Sequence, residues 1–92
     1  MEFEWDPDKD AHNSRKHGIQ FSIAARVFFD PHRIEFFDGR EDYGEDRWVT
    51  IGYAVNSLLY LVYTIRSEEA IRIISARKAN EQERKKYLQA NS

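Results

Sequence analysis

At 92 residues the chain has room for a single domain, because a chain this short buries about 60–65% of its unfolded surface and cannot divide its core. Its 41% hydrophobic and 14% aromatic content suffices for that core, and the 33% charged fraction with a mean hydropathy of -0.74 describes a wet surface. Having no cysteine, it lacks both a disulfide framework and a thiolate zinc site; with an acidic, polar start, MEFEWDPDKD, and no apolar run near ~18 residues, it reads as cytoplasmic, neither exported nor membrane-spanning.

The net charge of -2 hides an asymmetry. Residues 1–46 carry 12 acids and 6 bases, whereas residues 47–92 carry 8 bases and 4 acids, so the halves stand at -6 and +4. A basic face on an acidic protein still holds a phosphodiester backbone, since local field and direct contacts govern such binding. A solvated basic helix is the alternative.

Phe3-Glu4-Trp5 alternates as a short edge strand and runs into Asp6-Pro7, a helix-start signal. The helix is expected from Pro7 to His17, ended by Gly18. Ala11 is its one apolar residue, while Lys9, Asn13, Lys16 and His17 fall on one polar, mostly basic stripe. Phe21 and Ser22 read as staple and cap of a second helix, Ile23 to about Phe29, with Ile23, Ala24, Val27 and Phe28 inward and Asp30-Pro31 as its stop. Arg33 to Phe37 begins the β part, followed by an acidic loop over 38–46. Strands at Arg47–Ala54, Leu58–Ile65 and Ala70–Ala76 then form a meander, joined by Val55-Asn56-Ser57 and by Arg66–Glu69. The middle strand, LLYLVYTI, is apolar on both faces and is expected to be covered on both. The last helix, Asn80 to about Gln89, opens with a capping box of Asn80 and Glu83; with Tyr87 and Leu88 as its large apolar residues, it packs lightly or leans on a partner. The fold class is α+β: an edge strand and two helices, a four-strand antiparallel meander and a C-terminal helix.

Trp5-Asp6 with Lys9 and Asn13, Lys16-His17-Gly18 with Phe21, Arg47 and Gly52, then Tyr63-Thr64-Ile65-Arg66, Ile71-Arg72-Ile73-Ile74-Ser75-Ala76-Arg77 and finally Glu83 and Tyr87 form an ordered set. Together they resemble the BrnT family of type II toxins over essentially the whole chain. The resemblance implies a RelE-like fold and metal-independent endoribonuclease activity that needs no cofactor, acts on mRNA, free or on the ribosome, and halts translation. It also implies a cognate BrnA-like antitoxin, expected in a heterotetramer, through which alone DNA is met. RelE-like folds also include inert relatives, so the competing reading is a subunit that serves only as the antitoxin's partner in a DNA-binding repressor complex. A generic RNA-binding domain would need an aromatic pair in RNP-like segments, which this sequence lacks.

Cleaving RNA without a metal requires taking the 2′-hydroxyl proton, stabilising extra phosphate charge and protonating the 5′-oxygen. Arginine forks suit the second task, which points to Arg66, Arg72 and Arg77. Arg72 and Arg77 have opposite parity on an unbroken strand, and Arg77 is expected past its end, beside the N-terminus of the last helix, where free N–H groups add to an anion site. For proton transfer the sequence offers His17, Lys16, Tyr63, Tyr87 and Glu83, of which histidine ordinarily titrates near neutrality. The candidate catalytic set is therefore Arg77, Arg72, His17 and Lys16, with Lys9, Asn13, Arg66, Tyr63 and Tyr87 as RNA contacts. Plainer roles stay open: His17 as a helix cap, Arg72 as partner of Glu35, Arg77 as surface charge, and Trp5, Tyr63 and Tyr87 as core. His12, His17 and His32 are not at metal-ligand spacing; with no nucleophile elbow, Ser75 reads as a small residue on a buried strand.

Overall fold

The structure, a computed structural model, describes residues 1–39 and 44–92; residues 40–43 of the anticipated acidic loop lie outside them. Asp6 Oδ1 accepts from the Asp8 amide at 2.9 Å and Pro7 takes the first helical position, so helix α1 spans Pro7–His17. Gly18 ends it at φ 70°, a left-handed geometry that a side chain would strain, and donates to the Ser14 carbonyl at 2.8 Å.

Among the described residues one sheet of five strands follows the order β1-β5-β4-β3-β2. These are β1 (Glu2–Glu4), β2 (Ile34–Asp38), β3 (Arg47–Ala54), β4 (Ser57–Ser67) and β5 (Ala70–Lys78). Strands β2 to β5 form the expected antiparallel meander, and β1 joins its edge parallel to β5, with Phe3 opposite Ile71. The first strand stops one residue short of the sequence expectation. Trp5 leaves the ladder and packs edge-on against Phe21 at 6.2 Å.

The second helical segment departs further. It begins at Phe21, not after Ser22, as α2 (Phe21–Ala24), and tightens into a 3-10 turn over Ala25–Phe29. The cap comes from another helix: Asp10 Oδ1 of α1 accepts the Phe21 amide at 2.8 Å. Ala24 and Val27, three apart, then both face the core, while Ile23 points outward against expectation and Phe29 is exposed.

Both faces of β4 are covered, as its composition predicts. Leu59, Leu61 and Tyr63 join Ile71, Ile73 and Ala76 under Phe21, Ala24 and Val27. On the opposite face Leu58, Tyr60 and Val62 join Val49 and Ile51 under Tyr87 of α3 (Glu81–Ala90). The capping box of α3 is present, with Asn80 N donating to Glu83 Oε1 at 2.8 Å and Glu83 N to Asn80 Oδ1 at 2.9 Å.

Two irregularities position the chemistry. Val62 pairs with Ser75 but Tyr63 pairs with Ile73, leaving Ile74 as the extra residue of a β-bulge. The bulge inverts side-chain parity, so Arg72, opposite Thr64, and Arg77, opposite Tyr60, share one face of the sheet. The other irregularity lies at the sheet's edges. β1 covers β5 as far as Arg72, and beyond it Asn13 takes over, its Nδ2 donating to the Ala76 carbonyl at 2.9 Å and its Oδ1 accepting the Ala76 amide at 3.1 Å. β2 covers β3 as far as Ile51, and beyond it Asp30 Oδ2 accepts the Tyr53 amide at 2.9 Å. Gly52 permits this approach, since a Cβ there would lie 2.9 Å from Arg33 Cβ and 3.0 Å from Val27 Cγ1.

Candidate functional site

A groove of about 310 Å³ runs between α1 and the outer edge of β5, lined by Asp8, Lys9, His12, Asn13, Lys16, His17, Ile74 and Ser75. Helical spacing puts the α1 residues on one side, and the bulge turns Ile74 and Ser75 toward the other. Lys9, Lys16 and His17 meet here as their shared stripe predicts. His12 joins them, three residues after Lys9 and four before Lys16, a spacing visible in the sequence but set aside there because only metal ligation was weighed. Ser75, read as a buried strand residue, is half-buried and lines the groove, because the bulge displaces it.

The arginines lie on the sheet face beyond Ser75. Arg66 Nε stands 3.3 Å and Arg72 Nη1 3.8 Å from the same Glu4 oxygen, so two guanidiniums share one half-exposed carboxylate; Glu35 is not the partner of Arg72. Arg77 lies inside β5, not past its end, because Leu59 and Tyr60 extend the ladder to Lys78 and Arg77. Its Nη1 and Nη2 donate to Glu83 Oε1 and Oε2 at 2.8 and 2.9 Å, and its guanidinium lies 4.1 Å from the centre of the Tyr60 ring. Burial raises the Glu83 carboxyl, but the Arg77 hydrogen bonds, the Asn80 amide and the charges of Arg77 and Lys86 outweigh it and hold the group below its ordinary range.

Three expected RNA contacts are buried and hydrogen-bonded within the protein. Asn13 is 4% exposed, with Nδ2 also donating to the Ile19 carbonyl at 2.9 Å, so its amide is fully engaged in docking a helix that has almost no apolar residues. Tyr63 is 1% exposed, packs edge-on against Phe28 at 5.0 Å and donates to Glu35 Oε2; burial and then that bond raise its hydroxyl. Tyr87 is buried, donates to Asp30 Oδ2 at 2.8 Å and packs edge-on against Tyr53; burial, then the carboxylate, push its hydroxyl up to about 12. Neither ring offers a face to a base. Among the described residues no group of three or more His, Asp or Glu side chains is set to hold a metal ion, and no helix is long and apolar enough to cross a membrane.

The geometry has counterparts among known proteins. A crystal structure at 1.1 Å resolution of the Brucella abortus ribonuclease toxin BrnT superposes with a TM-score of 0.67 at 24% identity, covering 88% of this chain and 99% of that one, which establishes the fold. A search of curated proteins returned no match. The family model described as ribonuclease toxin, BrnT, of type II toxin-antitoxin system matches residues 5–83, nearly the whole folded chain. The chain thus belongs to the BrnT family of ribonuclease toxins.

Proposed function

We propose that this chain is a metal-independent endoribonuclease that cleaves mRNA in the α1–β5 groove, so halting translation in the cytoplasm, and is neutralised by a BrnA-like antitoxin in a heterotetramer that meets DNA through the antitoxin. The observation that carries the reading is the convergence of two imidazoles, two ammoniums and a hydroxyl, from His12, His17, Lys9, Lys16 and Ser75, in one groove. Imidazoles both accept and donate protons, so His17 and His12, on the α1 wall of the groove, serve as base and acid. One takes the 2′-hydroxyl proton as that oxygen attacks phosphorus, and the other protonates the 5′-oxygen as its bond to phosphorus breaks. Lys9 and Lys16 hold the phosphate charge that builds up between them.

Beyond Ser75 the RNA strand continues onto the sheet face, where Arg66 and Arg72 hold one positive charge more than Glu4 cancels. Half-exposed pairs of this kind exchange partners at little cost, so Arg72 is the phosphate anchor on this side. Arg77, committed to Glu83 and Tyr60, braces α3 against the sheet.

The test is cleavage of purified RNA in excess EDTA with mapping of the new ends. His17→Ala and Lys16→Ala are each expected to slow cleavage by about a hundredfold or more while keeping the melting temperature. Wild-type rates in both variants would overturn the assignment of the groove. A wild-type chain that cleaves nothing and leaves growth unaffected would favour the inert subunit.

A further inference from the structure

The end of the sheet away from the groove carries a connected run of rings whose outermost members, Phe29 and Phe37, are exposed. Phe37 packs on Trp48 at 5.4 Å, Trp48 stands opposite Tyr63, Phe28 covers Tyr63 at 5.0 Å, and Phe3 touches Phe28 and Phe29 at 5.2 and 6.4 Å. Phe29 is 76% exposed, Ile65 54% and Phe37 52%. Single exposed apolar residues need no explanation, but three large ones around half-buried Phe3, Phe28 and Trp48 form an aromatic seam suited to a binding partner. It shares no residue with the α1–β5 groove and meets the proposed RNA path only at its border, at Arg66.

The charge around it selects the occupant. β1 and β5 start here, β4 ends here and β3 starts here, which gathers Glu2, Glu68 and Glu69 on one side and Glu45 and Asp46 on the other. Glu45 and Asp46 share a hollow of about 440 Å³ with Trp48 and Ile65. Arg47 and Arg66 stand among these acids and Arg33 lies 4.9 Å from the Phe28 ring centre, but they already face Glu45 at 3.8 Å, Glu4 at 3.3 Å and Glu35 at 3.0 Å. An acidic rim repels nucleic acid. It also disfavours a second copy, because a two-fold dimer through this seam would set the same carboxylates against each other.

We propose that this acidic aromatic seam is the docking surface of the antitoxin, and that the segment seated on it is basic, with large apolar side chains spaced to enter between Phe37, Ile65 and Phe29. The proposal rests on the toxin–antitoxin reading above. A protein partner supplies both the apolar area that covers the rings and the lysines or arginines that answer the rim.

The experiment titrates the full chain with its BrnA-like antitoxin. In a Trp5→Phe background Trp48 is the only indole, so its emission reports directly on the seam. Antitoxin is expected to shift that emission, and Phe29→Glu, Phe37→Glu and Ile65→Glu are each expected to weaken binding by roughly thirtyfold, as loss of an interface anchor does. All three positions already face solvent, so the melting temperature should stay as in the wild type, and RNA cleavage should stay so in Phe29→Glu and Phe37→Glu, which lie away from Arg66. His17→Ala should bind antitoxin normally. Binding is also expected to weaken as salt rises. Wild-type affinity in the three glutamate variants, an unmoved Trp48 emission in a formed complex, or concentration-dependent self-association abolished by those variants would overturn the proposal while leaving the partner reading intact. An antitoxin that fails to bind the wild-type chain would overturn both.

Discussion

Replacing Arg77 by alanine separates a brace from a phosphate anchor. The substitution removes two charge-assisted hydrogen bonds of 2.8 and 2.9 Å to Glu83 and a guanidinium 4.1 Å from the Tyr60 ring centre. With Glu83 12% exposed and Arg77 38% exposed, the pair lies between a surface bridge and a buried one. The hydrogen bonds, discounted for solvent, are worth about 1–1.5 kcal/mol and the ring contact about 0.5–1 kcal/mol. A loss of about 2 kcal/mol lowers the melting temperature of a domain this size by about 8–16 °C. The deficit has a pH signature. In the folded protein the Glu83 carboxyl lies below its ordinary 4.5, so its contribution is present above that pH and lost as pH falls through the folded value. Arg77→Ala and wild type should therefore converge in stability on the acid side, with Arg77→Lys between them. Calorimetry from neutral to acid pH, with cleavage assays well below the melting transition, is the measurement. A variant that melts within about 2 °C of wild type yet cleaves a hundredfold more slowly would refute the brace and restore Arg77 as an anchor.

Asn13→Leu leaves the Ala76 amide, the Ala76 carbonyl and the Ile19 carbonyl without their partner, so unfolding in urea should show about 3 kcal/mol lost. Tyr63→Phe removes a hydroxyl from the core and should cost about 1 kcal/mol without changing RNA affinity; a specific fall in RNA affinity would return Tyr63 to the binding surface. Val55 holds φ 59° in the β3–β4 turn, a region costly for a β-branched residue, so Val55→Asn should raise stability by about 1 kcal/mol in the same denaturation assay. Burial raises the Asp30 carboxyl, but the Tyr53 and His32 amides and the Tyr87 hydroxyl outweigh it and lower it; Tyr87→Phe should accordingly flatten the loss of stability as pH falls below 3.8.

What was legible in the sequence was local. Asp6-Pro7 and Gly18 delimit α1, Asn80 and Glu83 begin α3, and the apolar run of β4 announces a strand covered twice, because each signal and its effect lie within a few residues. Illegible features needed a partner from elsewhere. Asn13 reads as one member of a polar stripe until Ala76, 63 residues on, is placed beside it. The bulge at Ile74 has no signature in Ile71-Arg72-Ile73-Ile74-Ser75-Ala76-Arg77, yet it decides that Arg72 and Arg77 share a face and that Ser75 reaches the groove. For Arg77 the counterion is Glu83, six residues on in the next helix, a pairing that the sequence does not announce.

Asn13 and Asp30 also govern how this chain meets its own kind. Each occupies main-chain groups of an inner strand, β5 or β3, that would otherwise remain open where the shorter edge strand stops. These two stretches are therefore closed to an added strand, so that backbone pairing with another chain is confined to the outer sides of the short strands β1 and β2.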